Sequence, residues 1–250
     1  MEEKMKLLKD CRVLDFTNET AFLCGKILGD LGADVVKVEK PGGDESRNLG
    51  SFFQDIPHPE KNLYWFSYNH NKRGITLNIE TETGREILRK LVKNTDIVLE
   101  TFAPGYLEKL GLDYAALSEI NPKLVMTSVT PFGQSGPYKD YKGSDLVLTA
   151  MSGLMSSLGD RDKPPVRTTL PQSYMWIGMH AAMGTLMAYY HRGMTGEGQH
   201  VDVSGQAGVI WALNHSPSFY DLNKEVPRRE GSFITGRSIT GAIFRAVYPC

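Results

Sequence analysis

The chain of 250 residues has few cysteines, no long hydrophobic run and no excess of basic residues. Its three cysteines, Cys11, Cys24 and Cys250, lie far apart, which excludes a disulfide framework and predicts a reducing, cytoplasmic setting. The most hydrophobic stretch, residues 179–190, is too short to span a membrane, and residues 1–10 lack the apolar core of a signal peptide. A formal net charge of −1 argues against a nucleic-acid-binding protein. The six histidines show no paired ligand spacing, so we expect no metal site.

Residues 12–47 are instead rich in information about the fold. A short apolar run, a helical pattern that closes at Leu31 and Gly32, and the run DVVKV predict a strand, a helix and a second strand. This βαβ unit predicts parallel strands joined by a right-handed crossover. Its first turn, FTNETAFLCG, lacks the G-x-G-x-x-G pattern of dinucleotide-binding proteins.

Strands alternate with helices along the next part of the chain, with no internal repeat. The pattern predicts an α/β fold, namely an open, doubly wound (Rossmann-like) parallel sheet with helices on both faces. We expect residues 63–69 to be strand-like or buried, and residues 171–193 to form a long buried helix. Seven methionines lie between residues 151 and 194, and we interpret them as core filling.

The pattern changes at about residue 217. We therefore predict a large domain at 1–216, followed at 217–250 by a polar, irregular linker and the first part of a small second domain. Residues 240–250 begin a strand, after which the chain stops. We expect a truncated chain that lacks most of the small domain, and a naturally short protein is the alternative.

Six sequence blocks carry a resemblance to a known family. LGADVVKVEKPGGDESR and five further blocks resemble, in order and spacing, the class III (CaiB/BaiF-type, formyl-CoA transferase-like) CoA-transferase family; the further blocks are at residues 69–79, 100–114, 120–138, 143–155 and 195–204. The resemblance covers nearly the whole chain. It implies an acyl-CoA:carboxylate CoA-transferase, with CoA as substrate, that works as an interlocked homodimer or heterodimer.

The resemblance also implies which residues contact CoA. They are Lys40, Leu77, Thr101, Phe102, Tyr106, Lys109 and Lys142, and from the residues themselves we add Arg73, which lies in the same turn as Lys72. Phosphates favour cations and backbone N–H groups, and these positions follow predicted strands, where ligands of open α/β sheets bind. Solvated surface charges and core aromatics are the structural alternative.

The first turn departs from the family pattern. Relatives have a glutamine and a Gly-Pro pair there, whereas this chain has Asn18 and Glu19 where CoA contacts are expected. A carboxylate near phosphates is unfavourable, so we expect the pantetheine or substrate contacts to differ.

A second departure affects the family's catalytic residue. The resemblance implies covalent catalysis by an aspartate at the start of the long helix, and Tyr174 occupies that position here. A phenol has a pKa of about 10 and cannot form the acyl anhydride. No Asp or Glu occurs between Asp162 and Glu197.

Three interpretations of this substitution remain open. The chain is a non-catalytic CoA-binding subunit of a heteromeric transferase, paired with a homologue that keeps the aspartate. Alternatively, CoA is transferred by direct attack, with Tyr174 or Gln172 donating a hydrogen bond to the thioester oxygen. In the third, Asp145 is the working carboxylate, although an Asp at a helix start is most often a cap. Tyr174 as a buried aromatic with a bonded hydroxyl is the structural alternative.

Racemases that share the fold are a less favoured match. They use a histidine and the aspartate as a paired acid and base, and this chain has Ser144 and Tyr174 at those positions. Proton exchange at a carbon needs such a pair. The sequence therefore favours CoA transfer over racemisation.

Overall fold

A computed structural model describes residues 7–224, 226, 229, 231, 233–234 and 244–245 of the chain. Six parallel strands form one sheet in the order β3-β2-β1-β4-β5-β6. They are β1 (Arg12–Phe16), β2 (Asp34–Glu39), β3 (Arg73–Thr76), β4 (Ile97–Glu100), β5 (Val125–Thr130) and β6 (Gln199–Ser204). The predicted doubly wound parallel sheet is confirmed, and its order reverses between β1 and β4.

Helices cover both faces of this sheet. In chain order they are α1 (Phe22–Asp30), α2 (Leu63–Asn69), α3 (Glu82–Val92), α4 (Tyr106–Lys109), α5 (Tyr114–Ile120), α6 (Asp145–Met151), α7 (Gln172–Thr195), α8 (Gly205–Ile210) and α9 (His215–Asn223). One core packs side chains of α1, α6, α7 and α8 against the sheet, and a second core packs α3, α4 and α5 against the opposite face. β4 and β5 are buried along their whole length, as expected of central strands that are covered on both faces.

Local sequence signals explain where the helices begin and end. The Thr81 hydroxyl accepts a hydrogen bond from the Gly84 N–H at 3.1 Å and caps α3. Gly32 follows α1 with φ of 106°, a conformation that glycine adopts without strain. Gly196 ends α7 in the same left-handed region, with φ of 80°.

Two predictions about secondary structure are wrong. Residues 63–69 form α2 rather than a strand-like segment, because the Asn62 side chain accepts from the Trp65 N–H and starts a helix. Part of the predicted irregular linker is the helix α9. Residues 233–234 and 244–245 form a two-stranded antiparallel pair, β7 (Phe233–Ile234) and β8 (Phe244–Arg245). Residues 225, 227–228, 230, 232, 235–243 and 246–250 of the predicted linker and small-domain segment lie outside the described residues, and Cys250 is among them.

The long helix α7 is only partly buried. Its inner face includes Ile177 and Ala181, which are fully buried. Its outer face exposes Met183, Met187 and Met194, with 56%, 72% and 72% of each side chain accessible. The interpretation of the methionines as core filling is therefore wrong for this helix. Over the described part of the chain, no helix combines the length and the hydrophobicity needed to cross a membrane.

Candidate functional site

A cleft of about 590 Å³ opens where β1, β2, β3 and β4 end. Its walls are the turns that follow these strands and the loop at 41–49. Because parallel strands all end at one edge, the topology brings these distant segments together beside the reversal in strand order. Seven predicted CoA-site residues line this cleft: Asn18, Glu19, Lys40, Leu77, Thr101, Phe102 and Tyr106.

The turns after β1 and β4 are joined directly. The Asn18 backbone N–H donates to the Thr101 hydroxyl at 2.9 Å, and the Asn18 side-chain oxygen accepts from the Thr20 N–H at 3.0 Å. These bonds fix the conformation of the first turn, which places Glu19 against the cleft. The turn that departs from the family pattern is thus a defined part of the cleft wall.

Aromatic side chains form the side of the cleft beyond β4. The rings of Phe102 and Tyr106 stack, with centroids 4.9 Å apart and planes at 23°. The Tyr106 hydroxyl donates to Glu80 at 3.2 Å. A flat, half-buried aromatic face of this kind is suited to a planar heterocycle such as adenine.

The charge of the cleft differs from the predicted cationic lining. Lys37 and Lys40 are its two cations, whereas five carboxylates line it: Glu19, Glu39, Asp44, Glu45 and Glu80. Lys40 is paired with Glu45 at 2.9 Å on the surface. A surface ion pair of this kind contributes little to the stability of the fold, so Lys40 can leave Glu45 and bind a phosphate.

The remaining predicted cations do not line the cleft. Arg73 starts β3 at the amino end of the sheet, where it binds both carboxylate oxygens of Asp34 at 2.8 and 2.6 Å. Strand β3 separates Arg73 from the carboxyl edge, so Arg73 does not line this cleft. Lys109 is exposed one helical turn after Tyr106, and Lys142 is exposed in the loop before α6. The predicted grouping of these three with Lys40 is not found in the cleft.

The sequence patterns did not identify Arg47 as the residue that holds the loop at 41–49 against the cleft. Arg47 donates to both carboxylate oxygens of Glu39 at 2.7 and 2.8 Å, and to Glu60 at 3.1 Å. Its guanidinium carbon also lies 4.0 Å from the centre of the Trp65 ring. The signal was present, since Arg47 ends the first family-like block.

Two lysines are buried beneath the first turn. The Asp15 carboxylate accepts from Lys72 Nζ at 2.8 Å, and Lys37 Nζ lies 3.6 Å from its other oxygen. Lys37 also donates to the backbone oxygens of Asp15 and Thr17. Lys72, the neighbour of Arg73 in the sequence, is therefore a support for the turn rather than a surface cation.

Asp145 lies at the start of α6 with its carboxylate fully engaged. It accepts from Arg167 Nε at 2.7 Å, from the Ser173 hydroxyl at 2.7 Å and from the Ser173 N–H at 3.1 Å. The cap of α6 is Ser144, whose hydroxyl accepts from the Val147 N–H. Asp145 thus ties α6 to the start of α7, and this bonding disfavours it as a nucleophile.

Tyr174 lies beside this carboxylate and close to the cleft. Its hydroxyl oxygen accepts from the Asp145 backbone N–H at 3.2 Å. Burial and the nearby charge of Glu19 raise the pKa of Tyr174, so the phenol stays protonated at neutral pH. Gln172 begins α7 with an exposed side chain.

Glu19 connects the cleft with the Tyr174 region. Burial, together with the charges of Asp44 and Asp145, raises the pKa of the Glu19 carboxyl. Among the described residues no hydrogen bond or ion pair engages its carboxylate. The site therefore combines an aromatic cleft, a buried phenol and one uncommitted carboxylate, a set that can bind a nucleotide arm and act on a carbonyl group.

Known proteins share this sequence and fold. The sequence profile of CoA-transferase family III matches residues 8–250. The chain is 40% identical over 220 residues to a succinyl-CoA:(R)-benzylsuccinate CoA-transferase subunit, BbsE, from Thauera aromatica, a match that covers 88% of this chain and 54% of that protein. It is 41% identical over 206 residues to a formyl-CoA:oxalate CoA-transferase from Streptomyces avermitilis, covering 82% of this chain and 49% of that protein. The chain thus spans about half the length of these curated relatives.

A solved structure agrees with these matches. A CaiB/BaiF family protein from Brucella suis superimposes with a TM-score of 0.83 at 34% identity, over 89% of this chain and 59% of that one.

Proposed function

Because the chain belongs to CoA-transferase family III, we propose that it binds the CoA arm of an acyl-CoA in the carboxyl-end cleft and takes part in moving CoA from a thioester to a carboxylic acid. The observation that carries the proposal is the convergence on one cleft of seven residues that the family resemblance predicts for the CoA site. They come from four different turns, and only the folded sheet brings them together.

The cleft offers a place for each part of the ligand. The stacked Phe102 and Tyr106 rings receive adenine, and Lys40 neutralises a phosphate when it leaves Glu45. Lys109 and Lys142 are exposed and long enough to add charge from outside the cleft once CoA is bound. The pantetheine arm then runs along the first turn, past Asn18 and Glu19, towards Tyr174.

The names of the similar proteins support a choice of substrates to test first. We propose succinyl-CoA with benzylsuccinate, and formyl-CoA with oxalate, as the first donor and acceptor pairs to test, since proteins with those names match this chain. The supply of acyl-CoA is consistent with a cytoplasmic location. An interlocked homodimer or heterodimer belongs to the same proposal.

A second function is supported by one specific observation. Tyr174 replaces the carboxylate that the family resemblance implies, and one similar protein is itself named a subunit. In this alternative the chain binds CoA without catalysis and assembles with a homologue that keeps the aspartate.

Two measurements on the purified chain test the proposal. The first is CoA binding by calorimetry: Lys40→Ala is expected to weaken it about tenfold, as for the loss of one charge-assisted hydrogen bond. Arg73→Ala, at the opposite end of the sheet, is the matched control and should leave binding unchanged. Equal effects of the two variants would place CoA elsewhere.

The second measurement is thioester exchange, followed by mass spectrometry after mixing each donor with its acceptor. Exchange by the chain alone supports the transferase. CoA binding without exchange, restored by a co-purifying homologue, supports the subunit alternative. If CoA does not bind at all, both are excluded.

A further inference from the structure

A second cavity, of about 550 Å³, lies at the amino edge of the sheet and is called here the amino-edge cavity. Its walls include Arg12 and Asp34, which begin β1 and β2, and the segments at 93–96 and 121–123, which lead into β4 and β5. The five residues of β1 separate the two edges of the sheet by about 13 Å, so one small ligand cannot occupy both this cavity and the carboxyl-end cleft. The proposed function makes no use of the amino-edge cavity.

The charge of the amino-edge cavity is mainly positive. Its charged walls, among the described residues, comprise three carboxylates and five cations, the cations being Lys9, Arg12, Lys93, Lys123 and Arg192. Two of the carboxylates are already neutralised, because Arg73 binds both oxygens of Asp34 at 2.8 and 2.6 Å and Arg192 Nη2 lies 2.6 Å from Asp96. The chain as a whole has a formal net charge of −1, so this excess of cations is a local feature.

Three of these cations are available to a ligand. Across the described part of the chain, no hydrogen bond or ion pair engages the Arg12 guanidinium or the ammonium groups of Lys93 and Lys123. Lys93 follows α3 and Lys123 follows α5, where a cation also offsets the helix dipole. Arg12 lies on a strand, where that explanation does not apply, and its backbone N–H donates to Asp96 at 2.7 Å, which keeps it at the cavity wall.

Arg192 supports an anion at this wall by a separate observation. Its guanidinium lies 5.3 Å from the centre of the Tyr189 ring, and its Nη2 is bound to the Asp96 carboxylate that also accepts from the Arg12 N–H. Its Nη1 is buried and has no acceptor among the described residues. Buried N–H groups of folded proteins normally have an acceptor, and an oxyanion held between Arg12 and Arg192 would supply it.

We propose that the amino-edge cavity binds a small, multiply charged oxyanion that carries phosphate or carboxylate groups. Arg12 presents a planar fork that matches these groups through two hydrogen bonds, whereas Lys93 and Lys123 act as point charges. A single negative charge would leave most of these cations uncompensated, which favours an anion with several charges. The volume of the cavity is within the range of small-molecule sites.

Calorimetric titration of the full chain with inorganic pyrophosphate tests the proposal, with the ionic strength held constant by sodium chloride. Arg12→Gln and Lys123→Gln are each expected to weaken binding about tenfold, as for the loss of one charge-assisted hydrogen bond. Arg161→Gln, the same change at an exposed loop position, is the matched control and should bind like wild type. Pyrophosphate binding that neither Arg12→Gln nor Lys123→Gln weakens overturns the proposal.

Pyrophosphate also resembles the diphosphate of CoA, so Lys40→Ala distinguishes the two cavities. This variant should retain the binding of pyrophosphate at the amino edge. If Lys40→Ala loses pyrophosphate binding and Arg12→Gln keeps it, the anion lies in the carboxyl-end cleft and the proposal is overturned. Failure of CoA itself to bind would overturn the proposed function and leave the amino-edge site standing.

Thermal unfolding provides a second readout, because a ligand that binds only the folded chain raises the unfolding temperature. Pyrophosphate should raise it for wild type and for Arg161→Gln, and much less for a variant that combines Arg12→Gln with Lys123→Gln. An equal rise in all three chains overturns the proposal. Citrate then identifies the chemistry of the anion: stronger stabilisation by pyrophosphate assigns a phosphate ligand, stronger stabilisation by citrate assigns a carboxylate ligand, and stabilisation by neither overturns the proposal.

Discussion

The carboxylate of Asp15 accepts a hydrogen bond from Lys72 Nζ at 2.8 Å, and both side chains are completely buried. Lys37 shares the same carboxylate from the other side, at 3.6 Å. Asp15→Asn would leave two buried cations without a counter-charge. We expect it to lower the free energy of unfolding by about 3–5 kcal/mol in urea titrations. Lys72→Met should cost less, because Asp15 keeps Lys37, and equal losses would contradict this account.

The same carboxylate should produce an acid transition. Burial on its own would raise the pKa of Asp15, but Lys37 and Lys72 lower it from 3.8 to about 2. A lowered folded-state pKa stabilises the fold above the unfolded value, and this stabilisation is lost as the pH falls from about 4 to about 2. The free energies of unfolding of wild type and Asp15→Asn should therefore converge over that interval. A difference in unfolding free energy that stays constant with pH would contradict the assignment of the acid transition to Asp15.

Glu100 should change the stability of the fold with pH in the direction opposite to that of Asp15. Burial raises its pKa from 4.5 to about 7, although the carboxylate accepts from the Phe102 N–H at 2.6 Å. The folded chain then binds this proton more tightly than the unfolded chain. Stability should fall as the pH rises from about 4.5 to 7, by an amount on the order of 3 kcal/mol. Glu100→Gln removes this slope, so it should be more stable than wild type at pH 8 and similar at pH 5.

Tyr174→Phe separates a structural role from a chemical one. The variant loses the acceptor of the Asp145 N–H, which should cost about 1 kcal/mol of unfolding free energy. If the hydroxyl also donates to the thioester oxygen, kcat should fall by about 10²-fold with little change in KM. A loss of stability without any change in kcat would leave Tyr174 a purely structural residue.

Gly178 sets how closely α1 and α7 can pack. A Cβ atom there would lie 2.7 Å from the Cβ of Leu23 and 3.3 Å from the backbone nitrogen of Cys24. Gly178→Ala should therefore destabilise the fold by about 1–3 kcal/mol. Gly193, in the same helix, has open space around it. Gly193→Ala should stabilise by about 0.5–1 kcal/mol, and thermal unfolding of the pair tests both signs.

Local patterns were sufficient to predict most of the sheet, because the central strands β1, β2, β4 and β5 are short, mostly apolar runs that alternate with helical patterns. They failed at 63–69, where one side-chain cap from Asn62 outweighs an aromatic run that is also compatible with a strand. They failed again for Met183 and Met187, since helical periodicity is weak when one face is methionine-rich and exposed.

The cleft was predicted residue by residue only where a strand end marked it. Lys40 and Thr101 directly follow strands, and the topology brings them together. Arg73 lies outside the cleft because it begins its strand rather than following it. The roles of Arg47 and Arg167 depend on contacts between residues 8 to 22 positions apart in the chain. The place of Glu19 depends on a cavity that four turns share. No local pattern encodes either.

The two walls of the cleft are held in place by different interactions, namely core packing on one side and polar contacts on the other. On one side α1 lies against α7 at Gly178 and above the Asp15 charge cluster, so that side cannot move without disturbing the core. On the other side the loop at 41–49 is fastened to β2 and Trp65 through the guanidinium of Arg47. The Asp44 N–H, which donates to Glu39, and Asn62, which donates to the Leu49 carbonyl, hold the same loop. Because these are polar contacts rather than core packing, the opening can widen for a bulky ligand on this side without disturbing the core of the domain.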